Sequence, residues 1–123
     1  MANYYPNAAT PKAAADQMQS ELRKYYNQAA DTLDSVTGGG STQVAPVGDA
    51  FQDAGWTGLY DSDNHHASDA GYALSAMVMF ETIYHTDVKD VDLSTVFSST
   101  GITQSTGQHL QAVAEAVNAS AFA

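Results

Sequence analysis

Apolar residues in the first third of the chain recur at helical spacing. Met18, Leu22, Tyr25, Ala29 and Leu33 follow one another at intervals of four, three, four and four, which puts them on one face of a helix. Thr10-Pro11 supplies an N-cap followed by proline at the first helical position. Together these predict a helix over ~11–36, ending near Gly38 in "TGGGST". That glycine run has neither the lysine nor the following helix of a P-loop, so it reads as a loop and not as a phosphate cradle.

The pattern then changes. Val44, Ala45 and Val47 form a short apolar run bounded by turn residues, which predicts a buried strand over ~42–47. Pro46 places that strand at an edge or at its own end. Trp56 and Leu59 in the following connection read as packing residues. Ser68 is an N-cap candidate with Asp69 in the first turn behind it. The run Leu74, Met77, Val78, Met79, Phe80 and Ile83 is apolar on more than one face, so the helix predicted over ~68–85 should be largely buried. Its methionines read as core filler. Residues 88–105 look irregular. Leu110, Val113, Ala114 and Val117 predict a last amphipathic helix over ~106–120. One strand cannot make a sheet, so partner strands would have to lie in the loops or in another polypeptide.

Composition narrows the partners. The 123 residues are enough for one domain with a real core. Fourteen acidic residues oppose four basic ones, giving a formal net charge of −10. Such a chain is repelled by phosphate backbones and anionic lipid, so nucleic acid and acidic membranes are not expected partners. There is no cysteine, which removes disulfides, thiolate metal sites and thiol nucleophiles. No signal peptide and no apolar run of spanning length is visible, and the compartment is left open, a secreted parent included.

The candidate chemistry lies in "YDSDNHHASDAGY", Tyr60 to Tyr72, with its Asp/His loop over 60–67. An EF-hand reading fails: the sixth loop position is His66 where glycine is needed, and the twelfth is Tyr72 where glutamate is needed. A transition-metal site could draw on Asp61, Asp63, His65 and His66, but neighbouring side chains diverge and rarely reach one ion. A third reading is a general base. Asp63 and His66 are three apart, close enough for a tight turn to join them by a hydrogen bond. The carboxylate would fix the ring tautomer and leave the other nitrogen to take a proton. The fourth is a solvated polar loop ahead of a capped helix.

The stretch from Leu59 to Val88 resembles the last block of the SGNH hydrolases, the GDSL-type esterases, whose pattern is Asp-x-x-His followed by a buried helix. Asp63 and His66 match the pair, Ser68, Gly71, Tyr72 and Ala76 fit the helix start, and Ala67 stands where proline is usual. "VAPVGDAF", Val44 to Phe51, is similar to the strand and turn that precede this block. The resemblance spans roughly Gln43 to Val117. It implies an α/β fold, the C-terminal part of a three-layer α/β/α (flavodoxin-like) domain. It also implies ester hydrolysis through an acyl-serine, with His66 as base, Asp63 as orienter, His65 as a passenger, and no metal or organic cofactor.

The rest of that family's machinery has no counterpart here. There is no Gly-Asp-Ser: Gly48-Asp49 is followed by Ala50, and Gly40-Ser41 lacks the acid. The asparagine block is missing as well. The expectation is therefore a partial SGNH-like domain over residues 1–123, inactive alone, that forms a homo-oligomer or pairs with a second chain supplying the N-terminal half. The alternative is a non-catalytic structural protein that self-associates through uncovered apolar faces.

Overall fold

A computed structural model describes residues 5–122, with side chains through residue 119. The elements are all helices: α1 (Pro11–Thr37), α2 (Val47–Asp53), α3 (Asp69–Tyr84), α4 (Ser94–Ser99) and α5 (Gln104–Phe122). The described chain divides into two compact units, one up to Val44 and one from Ala45.

The first unit is built on α1. Thr10 caps it, its hydroxyl accepting the Ala13 N–H at 3.1 Å, and Pro11 occupies the first turn. The helix stops at Gly38, whose φ of 97° is the left-handed conformation that closes the last turn. The Asp34 carboxylate accepts the Thr42 N–H at 3.0 Å and ties the chain after the glycines back to the helix.

The second unit carries the main core. Ala50 and Phe51 of α2, Leu74, Met77 and Val78 of α3, Leu110, Val113, Ala114 and Val117 of α5, and Leu59 and Val88 from the connections form one buried cluster. A polar network crosses it. The Glu81 carboxylate accepts the Val88 N–H at 2.8 Å and the Asn118 side-chain N–H at 2.8 Å. The Thr82 hydroxyl donates to the Asn118 oxygen at 3.0 Å. Gln111 donates to the Val88 and Val91 carbonyls, so the 85–93 connection is held from both α3 and α5. These groups are buried and all bonded, as buried polar atoms must be.

The expected α/β architecture is not found. Among the described residues there is no strand, only one isolated antiparallel bridge between Tyr60 and Ala67. The three-layer α/β/α (flavodoxin-like) sandwich is therefore ruled out as the fold of these residues. The segment read as a strand over 42–47 is irregular up to Pro46 and helical from Val47. The reason is local. Pro46 offers no N–H to a ladder, but its carbonyl accepts the Ala50 N–H at 3.0 Å and starts a turn. Ala50 and Phe51 then point into the core, and Asp49 in the first turn suits the helix dipole.

Two further expectations change. Part of the segment read as irregular, 94–99, is helical, and its Phe97 is buried. The helix read as largely buried shields only one side. Leu74, Met77, Val78, Glu81 and Thr82 face inward, while Tyr72, Met79, Phe80, Ile83 and Tyr84 are exposed.

Candidate active site

The Asp/His loop is a closed turn sitting on the start of α3. The Tyr60–Ala67 bridge pins its ends. Within it the Asp61 N–H donates to the His66 carbonyl at 2.8 Å, and the Asn64 N–H donates to the Asp61 carbonyl at 2.9 Å. Asn64 takes the left-handed φ of 55° that reverses the chain, a conformation asparagine tolerates better than most residues.

The base of the loop is anchored to the core. The Tyr60 ring packs edge-on against Phe51, 5.6 Å between centroids. The Ser68 N–H donates to the Leu59 carbonyl at 3.0 Å, and its hydroxyl donates to the Gly58 carbonyl at 2.7 Å. The same hydroxyl oxygen accepts the Gly71 N–H at 3.2 Å, capping α3. One serine thus starts the helix and ties it to the segment entering the loop.

Asp63 organises the turn. Its Oδ1 accepts the backbone N–H of His65 at 2.9 Å and of His66 at 3.0 Å, and its Oδ2 lies 2.5 Å from Nδ1 of His66. The His66 ring, followed by those two backbone donors, holds the Asp63 carboxyl well below its ordinary range, at about 2. An ionised carboxylate can only accept, so Nδ1 of His66 carries the proton and, in the neutral ring, Nε2 has the free lone pair. Both side chains are exposed, His66 at 73% and Asp63 at 47%.

The structure therefore brings together Asp63 and His66 and leaves His65 and Asp61 out of the contact. His65 contributes its backbone N–H and no ring bond; Asp61 contributes backbone bonds. Among the described residues, no three histidines or acids are placed to hold one metal ion. The only bonded partner of the His66 ring among them is Asp63, with no hydroxyl at Nε2. The sequence reading missed the supports, Tyr60, Ala67 and Asn64. The Asn64 turn could be inferred from residue type, whereas the bridge depends on pairing across the loop.

Comparison of this chain with protein-family models, with curated proteins and with solved structures yields no match.

Proposed function

We propose that Asp63 and His66 are the orienting acid and the base of an ester-hydrolase site of the SGNH kind, completed by a nucleophile and oxyanion donors from another polypeptide. The observation that carries this reading is the 2.5 Å contact of Asp63 Oδ2 with His66 Nδ1. It fixes the tautomer a general base needs and presents Nε2 to the outside. In the completed site Nε2 would take the proton of an attacking serine hydroxyl and return it to the leaving alcohol, with Asp63 stabilising the transient imidazolium. The resemblance of the Leu59–Val88 stretch supports the ester class. The chain alone has a base and an orienter, and without an oxyanion hole such a pair gives little rate.

The test has two parts. Nitrogen NMR of His66 should report the proton on Nδ1 in the neutral ring, and Asp63→Asn should lose that preference. The isolated chain should hydrolyse a small activated ester no faster than buffer with free histidine. A proton on Nε2 would overturn the base assignment. Robust turnover abolished by a serine-directed inhibitor would show that the nucleophile lies within this chain, with Ser41 and Ser62 the first to substitute.

A second reading, a non-catalytic assembly protein, is supported by a different observation: Tyr72, Met79, Phe80, Ile83 and Tyr84 stand exposed along one side of α3.

A further inference from the structure

From residue 22 onward α1 is an exposed helix. Over residues 22–37 only Ala30 and Asp34 are half-buried and none is buried. Four turns of unsupported helix are marginal in water. Along this stretch Leu22, Tyr26, Ala29, Leu33 and Val36 recur at intervals of four, three, four and three, the spacing of a two-helix seam. They are not covered: Leu22 is 39% exposed, Tyr26 59%, Leu33 53% and Val36 80%.

Charge placement favours a like partner. The positions flanking the seam are Arg23, Tyr25, Ala30 and Thr32, with no acid among them. Glu21, Asp31 and Asp34 fall on the outer positions of the repeat. A chain of net charge −10 thus keeps its like charges off the one stripe where two copies would meet.

Side-chain size sets the orientation. In a parallel pair Tyr26 would face Tyr26 of the other copy, and Ala29 would face Ala29 across a gap. In an antiparallel pair Tyr26 faces Ala29, so the largest residue meets the smallest, and Leu22 faces Leu33. The area is of the right order. Tyr25 and Tyr26 are 60% and 59% exposed, so covering them removes roughly 90–150 Å² per ring, and two copies add four leucines. The total comes close to the ~1,000 Å² that a specific interface needs.

We infer that α1 pairs antiparallel with α1 of a second copy through the Leu22–Val36 seam, making the chain a two-fold dimer. This names the partner that the assembly reading leaves open. Its test uses neither ester turnover nor the exposed side of α3, so it can fail while the hydrolase reading, or assembly through α3, stands.

Sedimentation equilibrium of the full chain should give twice the 13.0 kDa chain mass. Leu33→Asp should return it to a monomer with the helicity of the second unit intact, and Asn27→Asp, on the outer side, should remain a dimer. The chain has no cysteine, so introduced thiols report unambiguously. Leu22→Cys mixed with Leu33→Cys should oxidise to the mixed disulfide, and Val36→Cys should not link to itself, because its two copies lie ~25 Å apart along the pair at 1.5 Å per residue. A monomer at millimolar concentration, or a dimer that survives Leu33→Asp, overturns the inference. Ready self-linking of Val36→Cys overturns the antiparallel arrangement.

Discussion

The carbonyl of Leu59 occupies the space that a Cβ on Gly71 would need. Gly71 is buried in the first turn of α3, and the Leu59 oxygen also accepts the Ser68 N–H. The segment entering the Asp/His loop therefore rests on the backbone of the helix that leaves it. Gly71→Ala should push these two backbones apart. Overpacking of this kind costs about 1–3 kcal/mol, and each kcal/mol corresponds to roughly 4–8 °C of Tm in a domain of 60–100 residues. A circular-dichroism melt is the measurement, and an unchanged Tm would contradict the close approach.

Ser68 should be costly to replace for a second reason. Ser68→Ala removes the cap on the Gly71 N–H and the donor to the Gly58 carbonyl together. Loss of an N-cap costs about 0.5–2 kcal/mol. Ser68→Asp restores the cap acceptor but not the donor, so its stability in urea should fall between wild type and alanine.

Glu81 offers a sharper contrast. Both of its oxygens accept from buried donors, the Val88 N–H and Asn118 Nδ2. Glu81→Gln keeps the shape but turns an amide N–H toward one of those donors. An unsatisfied buried group costs about 1–3 kcal/mol, so the near-isosteric change should destabilise by that amount. Hydrogen exchange should identify the site: the Val88 amide should lose protection in Glu81→Ala, whereas Glu81→Gln keeps one oxygen that can still accept it.

The loop should loosen in strong acid. The folded-state pKa of Asp63 is lowered from 3.8 to about 2. A lowered pKa means that the unfolded form binds the proton more readily. The stabilisation is thus complete above the unfolded value and is lost as pH falls through about 2. Carbon NMR of the Asp63 carboxyl should place its midpoint near 2. His66→Ala should raise that midpoint more than any change at His65, since the His66 ring is the largest cause of the shift. A midpoint in the ordinary carboxylate range would remove the contact as an organising feature.

What the sequence by itself determined is local. Thr10-Pro11 starts α1, Gly38 ends it, and Ser68 caps α3, because a cap acts through residues three or four apart and needs nothing from the rest of the chain. The Asp63–His66 contact belongs to the same class: a three-residue turn brings the carboxylate to the ring wherever the loop is placed. Tertiary structure decided what depends on distant partners. Val44, Ala45 and Val47 look like a strand by type, but a strand needs a neighbour and no other described segment provides one, so Pro46 opens a helix. The apolar run in α3 fits burial on every side, yet only contact with α2 and α5 selects the side with Leu74, Met77 and Val78 and leaves Phe80 and Ile83 outside. Glu81 has the composition of a surface residue. It is buried because Asn118, 37 positions away, and the Val88 amide meet its two oxygens, a pairing that exists only once α3 and α5 have packed.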